Sequence, residues 1–347
     1  MNKCIAIHSR TGSFSDRWVA YCKTHSINFR IVDCHQSDIM QQIEGCSGLM
    51  WHFTQGSVED MLIARAVVES AEAMGINVFP NSRTSWHFDD KIAQKYLLEA
   101  IGAPCVPTHV FVEKEQALAW LNVSTFPKVF KLRNGAGSSN VRLVKNRQEA
   151  RKLIDRAFSR GFPAVPRWQP MGERWWQFKR DRSIKSLLNI SRGFARAIIP
   201  NPKLRRLPRQ SGYAYFQDFV PENDSDIRII VIGERAFAIK RMVRDGDFRA
   251  SGSGRILHSP EAIPKECLEI SFGIAEKLET QSLALDYVFA AGRPLLVEIS
   301  YAFLAQAYLS CPGYWKRDLS WVEGKFSPET FMIEDFLTSL ELNESCT

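Results

Sequence analysis

No stretch of the 347 residues approaches the roughly 20 consecutive apolar residues that span a bilayer, so a helical membrane span is not expected. The opening MNKCIAIHSR carries only a three-residue apolar run after Cys4, too short for the core of a secretory signal, and a cytoplasmic protein is expected. Eight cysteines, at 4, 22, 34, 46, 105, 267, 311 and 346, form no CxxC pair. A zinc ribbon or dithiol redox centre is therefore not indicated, and a reducing compartment accounts for them. No GxGxxG follows the first strand signal, which excludes the usual dinucleotide-binding turn, and no GK[ST] closes a P-loop. No Ser–His–Asp or Cys–His signature is present either: His8, His52, His87 and His109 stand isolated in sequence and read as packing or hydrogen-bonding residues.

Acidic residues are scarce in one place. Residues 161–215 hold twelve Lys or Arg against Glu173 and Asp181, a local charge of +10, whereas the whole chain is +7. Apolar residues make up 45% and charged residues 24%, the balance of a globular protein. Up to about residue 85 strand and helix signals alternate: CIAIHS, INFRIVDC, SGLMWHF and INVFPN as strands, with VEDMLIARAVVESAEAMG as an amphipathic helix. Such alternation builds an α/β layer with a parallel sheet. A second stretch, 86–160, opens on the helix FDDKIAQKYLLEAIG, with Asp89 or Asp90 at its cap, and closes on NRQEARKLIDRAFSRG. After the basic, Trp-bearing stretch 161–215, residues 216–347 return to regular patterns. They include hairpins turning at Gly233–Glu234 and near Gly292.

Three features carry chemistry. In KLRNGAGSSNVR a lysine, Lys131, leaves a strand and meets Gly135, Ala136, Gly137, Ser138 and Ser139, small residues that let backbone N–H groups approach phosphate oxygens. The same string also reads as an ordinary hairpin turn. In DIRIIVIGERAFAIKR the hairpin brings Arg228 beside Lys240 and Arg241, with Arg249 and Arg255 following in DFRASGSGR. In LALDYVFAAGRPLLVEIS, pairing about Gly292 sets Asp286 opposite Glu298, with Ser300 on the same face. Like charges facing across a ladder repel. A divalent metal that bridges the carboxylates to phosphate oxygens would relieve the repulsion, as would an arginine partner or exposure to solvent.

Taken in order, these pieces resemble the ATP-grasp ligases over about residues 90–300, and most closely the ribosomal-protein glutamate ligases and bacterial glutathione synthetase. The resemblance implies a Rossmann-like N-terminal domain (1–85) followed by two α+β subdomains that sandwich ATP: a small one with the glycine-rich loop (86–160) and a C-terminal one with the metal site (216–347). A basic Trp-containing insertion or lid (161–215) lies between them in sequence. It implies ATP and Mg²⁺ (or Mn²⁺) as cofactors. Lys91, Lys131, Gly135, Gly137, Ser138 and Ser139 would bind phosphates, and Gln217, Asp218, Phe219 and Val220 would line adenine. Arg241 would meet the transferring phosphate, supported by Asp226 and Arg228, and Arg249 and Arg255 would bind acceptor carboxylate and acyl phosphate. Asp286, Glu298 and Ser300 would hold metal. The chain departs from the pattern at Ser300, where the family has Asn, and at Asp218, where Glu is commoner. It departs again in YAFLAQAYLSCPG, which replaces the family's SPG and leaves the acceptor wall unassigned.

The leading expectation is an ADP-forming carboxylate–amine ligase acting through an acyl phosphate on small-molecule or peptide acids and amines. The +10 segment points to an anionic partner. A kinase for an anionic alcohol and a non-catalytic basic binding module are the alternatives. Nucleic acid is disfavoured because a binding module has no use for Lys91, Lys131, Asp286 and Glu298 together. Homo-oligomerisation stays open.

Overall fold

The structure, a computed structural model, describes residues 4–135, 140–164, 207–244, 247–250 and 252–344. Its chain forms two compact units, one of residues 1–106 with 220–347 and one of 107–219.

The larger unit begins with a four-stranded parallel sheet in the order β2-β1-β3-β4. The strands are β1 (Ile5–His8), β2 (Phe29–Val32), β3 (Gly48–Met50) and β4 (Asn77–Phe79). Helix α1 (Ser15–Thr24), absent from the sequence reading, exists because Trp18 and Cys22 recur one turn apart and are fully buried. After α2 (Ile39–Gln42), helix α3 (Val58–Ala73) is capped by Ser57, whose hydroxyl accepts from the Asp60 N–H. After α4 (Ser82–Ser85), helix α5 (Lys91–Ala100) is capped by Asp90, which accepts from the N–H groups of Ile92 and Ala93.

The smaller unit is an antiparallel sheet in the order β5-β8-β6-β7. It is built from β5 (Thr108–Phe111), β6 (Lys128–Lys131), β7 (Val141–Val144) and β8 (Ala214–Asp218). Helices α6 (Lys114–Val123) and α7 (Arg147–Ala157) cover one face, closing a core of Ala117, Leu121, Phe130, Ile154 and Phe216.

The larger unit resumes with a seven-stranded sheet in the order β13-β12-β9-β10-β14-β15, with β11 paired to β10. Its central strands are β9 (Ser225–Ile232) and β10 (Arg235–Met242), then β11 (Ile256–Leu257). Helix α8 (Lys265–Leu278), strands β12 (Ser282–Ala290) and β13 (Arg293–Ser300), β14 (Gly313–Lys316), β15 (Trp321–Glu323) and helix α9 (Pro328–Glu344) complete it. Side chains alternate between two apolar layers. Ile227, Ile229, Val231, Leu283 and Leu285 face α8, burying Cys267 and Leu268. Ile230, Ile232, Phe237, Ile239 and Ala284 face the other way, into a core shared with Ile5, Ile7 and the α9 residues Met332 and Phe336. That second layer turns from apolar to charged along the strands, and the change defines the candidate site.

Candidate active site

The register fixes which charges meet. Asp226 lies opposite Arg241, Arg228 opposite Ile239, and Ile230 opposite Phe237 across β9 and β10. Asp286 of β12 lies opposite Arg228, and Ala284 opposite Ile230. Asp286 and Glu298 face each other in the β12–β13 hairpin. One face therefore carries Asp226, Arg228, Arg241, Asp286 and Glu298 side by side, next to Ile230 and Phe237.

The Asp286/Glu298 pairing was expected from symmetry about Gly292, but it arises differently. The turn is Ala291–Gly292, both at positive φ, so Ala290 pairs with Arg293. A register shift between Asp286 and Tyr287 makes Val297 an extra residue, a β-bulge, and restores the Asp286/Glu298 pair.

Each of the two facing carboxylates has cationic partners. Asp286 accepts from Arg228 Nε and Nη2, both at 2.5 Å, and lies 3.0 Å from Arg241 Nη2. Arg241 forks onto Asp226 with two 2.6 Å bonds. Glu298 has its own cation, Lys91 Nζ at 3.0 Å. Burial pushes the Asp286 carboxyl up, but Arg228 and then Arg241 outweigh this and hold it well below the usual carboxylate range. Burial likewise pushes Lys91 down, and Glu298 outweighs it, so the ammonium is held charged. Arginine and lysine pairing thus offsets the Asp286/Glu298 repulsion in this structure.

Lys91 reaches Glu298 because α5 docks its first turn on β13. One turn on, Gln94 Oε1 accepts from the Ile299 N–H at 3.4 Å. Ser300, expected beside the carboxylates as a ligand, uses its hydroxyl locally: Oγ donates to Ala302 O at 2.9 Å and accepts from the Ala302 N–H at 3.2 Å. Arg249 forks onto Asp247 within its own loop.

The set fits a divalent cation only under one condition. Asp226, Asp286 and Glu298 are balanced by Lys91, Arg228 and Arg241, so a bare dication adds two positive charges to a neutral cluster. Bound to a triphosphate, the dication brings net negative charge, which the two guanidiniums can take up. Glu298, with a third of its side chain exposed against an eighth for Asp286, is the more open carboxylate.

In the smaller unit, Lys128 is a residue the sequence reading passed over. Its ammonium lies 2.6 Å from Asp218, which also sits 3.5 Å from His109 Nε2. Lys128 pairs with Asp218 in the ladder, and three residues later Lys131 points to the opposite sheet face, the face that carries Val129 and Gln217. The signal was the K-x-x-K spacing, which on a strand separates two lysines into two jobs. Gln217 Nε2 donates to Thr108 Oγ1. The start of the glycine loop is anchored by a chain from the Arg133 N–H to Tyr213 Oη, on to Gln210 Oε1, and from Gln210 Nε2 to Asn134 Oδ1. Gly135 is described; Gly137, Ser138 and Ser139 lie outside the described residues, as do residues 165–206 of the basic segment. Arg209 donates to the carbonyls of Arg160 and Gly161. Phe219 and Val220 fall on either side of the 219/220 unit boundary, and Arg255 donates its N–H to Ser253 Oγ.

The histidines are not all isolated in space. His8, Asp33 and His35 offer ligand-type atoms within 4.8 Å of one another, and His35 Nε2 lies 2.7 Å from buried Asp60. His8 Nδ1, however, already accepts from the Cys34 N–H at 3.0 Å. His52 stacks on Phe14 at 3.7 Å and its Nδ1 accepts from the Phe14 N–H; burial pulls it down to about 3. His87 is fully buried, neither ring nitrogen has a hydrogen-bond partner among the described residues, and burial pulls it down to about 4.

Residues 210–302 match the family described as RimK-like ATP-grasp domain. No curated protein matches the chain. Among solved structures, D-cycloserine synthetase aligns at 13% identity with a TM-score of 0.60, over 97% of this chain and 99% of that one. A RimK domain ATP-grasp protein from Sphaerobacter thermophilus aligns at 14% identity and 0.53, over 87% and 93%. D-alanine–D-alanine ligase from Bacillus anthracis, complexed with ATP, aligns at 12% and 0.53, over 89% and 91%. Among the described residues no helix is long and apolar enough to cross a membrane. The chain thus has the ATP-grasp fold, an α/β architecture, and its residues 210–302 are similar to the RimK-like ATP-grasp domain.

Proposed function

We propose that the protein is an ADP-forming carboxylate–amine ligase that uses Mg-ATP. The observation that carries this reading is the charge-balanced face of Asp226, Arg228, Arg241, Asp286, Glu298 and Lys91, with Lys91 and Arg241 buried and Arg228, Asp286 and Glu298 partly open to solvent. Such a set suits a ligand that exchanges one anionic partner for another.

In the first step a substrate carboxylate oxygen attacks the γ-phosphorus of ATP, the bond to the β,γ-bridging oxygen breaks, and ADP leaves. Arg241 and Arg228 move hydrogen bonds from Asp286 to the oxygens of the transferring phosphoryl group, so no side-chain nucleophile is required. In the second step an amine nitrogen attacks the acyl carbon, phosphate departs with the C–O bonding pair, and the nitrogen loses a proton. Glu298 and Asp286 would hold Mg²⁺ delivered with the nucleotide, which would supply neutralisation of phosphate charge. Lys91, Lys131, Gly135, Gly137, Ser138 and Ser139 take nucleotide phosphates. Gln217 to Val220 take the adenine, with Asp218 steadied by Lys128. Arg249 and Arg255 take the acid substrate. The +10 segment favours an anionic acid or amine.

The test is incubation with Mg-ATP and pools of amino acids, peptides and uronic acids, with ADP release and product mass recorded. ADP formed together with a product lighter than acid plus amine by one water supports the ligase. A stable phosphorylated alcohol, or no nucleotide turnover with any pool, refutes it.

A further inference from the structure

The segment after β13, where the sequence departs from its resembling family, carries a residue that no role above uses. Tyr308 ends a single 3₁₀ turn, Ala305–Tyr308, held at Ala307 O by a 2.8 Å contact to His258 Nε2. The Tyr308 ring packs edge-on against Phe237 at 5.1 Å and Phe303 at 5.5 Å and is 2% exposed. Its hydroxyl has no hydrogen-bond partner among the described residues. A buried orphan hydroxyl is uncommon, and phenylalanine would give the same ring packing without it.

The sheet register shows where the Tyr308 ring sits relative to the charged rows. Phe237 faces Ile230, and the next positions along the same face are Ile239 with Arg228, then Arg241 with Asp226. Tyr308 therefore packs on the last apolar row before the charged rows begin. In agreement, Arg228, Arg241 and Asp286 are the charges that act on its hydroxyl after burial itself. The arginines presently spend their donors on Asp226 and Asp286. An anion that takes those donors would bring an acceptor into the charged rows next to the Phe237 row on which Tyr308 packs.

We infer that the Tyr308 hydroxyl donates a hydrogen bond to the terminal phosphoryl group taken up by Arg228 and Arg241, and so separates nucleoside triphosphate from diphosphate. This rests on the nucleotide reading of the site. The other titratable cluster, His8–Asp33–His35, carries no comparable vacancy, since the His8 nitrogen nearest Asp33 is already an acceptor for Cys34.

Tyr308→Phe in the full chain is the test, with calorimetric affinities for Mg²⁺ with a non-hydrolysable ATP analogue and for Mg-ADP, and the melting temperature without ligand. Loss of a hydrogen bond to a charged group predicts analogue affinity lower by about tenfold or more, with ADP affinity unchanged. The ligand-free melting temperature should stay level or rise, because the hydroxyl has no partner to lose. Equal affinities in parent and variant, or an equal loss for both nucleotides, overturn the inference and leave the ligase reading standing. A parent that binds neither nucleotide overturns both.

Discussion

Replacing Asp286 by asparagine separates two accounts of the hairpin by the sign of a stability change. If Asp286 and Glu298 were a repelling pair awaiting metal, Asp286→Asn in metal-free protein would relieve the repulsion and stabilise by about 0.2–1 kcal/mol. In the structure Asp286 is the counter-charge of two guanidiniums, Arg241 buried and Arg228 a quarter exposed. The variant strips Arg228 of the carboxylate that takes its Nε and Nη2 bonds, while Arg241 keeps its fork on Asp226. Breaking a buried pair from one side costs about 3–5 kcal/mol. Less the relieved repulsion, the net is a loss of about 3 kcal/mol. Urea unfolding in EDTA, followed by tryptophan fluorescence, would read this as a midpoint lower by on the order of 1 M. The double variant Arg228→Met/Asp286→Asn removes the orphaned cation and should recover much of the loss. A single variant as stable as the parent, or more so, refutes the ion-pair account.

Mg²⁺ alone should leave the melting temperature unchanged, whereas Mg-ATP raises it, because the neutral cluster accepts the dication only with triphosphate; a comparable shift with Mg²⁺ alone contradicts this. Lys131→Ala should weaken ATP binding by about 1–3 kcal/mol in calorimetry, and unchanged affinity removes Lys131 from the phosphate site. His87 sits at about 4 when folded against 6.5 ordinarily, so its stability contribution is complete above about pH 6.5 and is lost as pH falls through about 4. The total is about 3 kcal/mol. His87→Leu should flatten the pH dependence of the urea midpoint across that window, and an unaltered slope would show that other groups cause the acid lability.

The alternation of strands and helices made the N-terminal sheet legible, and the period of two made the Asp286/Glu298 facing legible. That facing came right because two offsets cancelled, a turn set half a residue from Gly292 and a bulge at Val297, neither of which leaves a mark in composition. The partners of the carboxylates were hidden for a different reason. Arg228 and Asp286 are 58 residues apart, and Lys91 reaches Glu298 through helix docking, so strand order and packing had to be known first. Lys128 and Lys131 look alike in sequence, but the ladder sends them to opposite faces. Strands β14 and β15 were missed because four- and three-residue strands show too little alternation to be read. The small-residue loop suggested phosphates, but the Tyr213–Gln210–Asn134 chain that fixes its start joins residues far apart in sequence.

The bulge at Val297 divides the hairpin into two lengths of ladder with independent bookkeeping. From Tyr287–Leu296 to Ala290–Arg293 the pairing follows the turn; from Asp286–Glu298 to Ala284–Ser300 it follows the neighbouring strand β9. The extra residue is a slip joint. The tip can lengthen or shorten by matched pairs without rotating Glu298 off its face, but a single-residue change at the tip is tolerated only if the bulge is gained or lost with it. The chemistry at the hairpin's base is thereby insulated from drift at its tip.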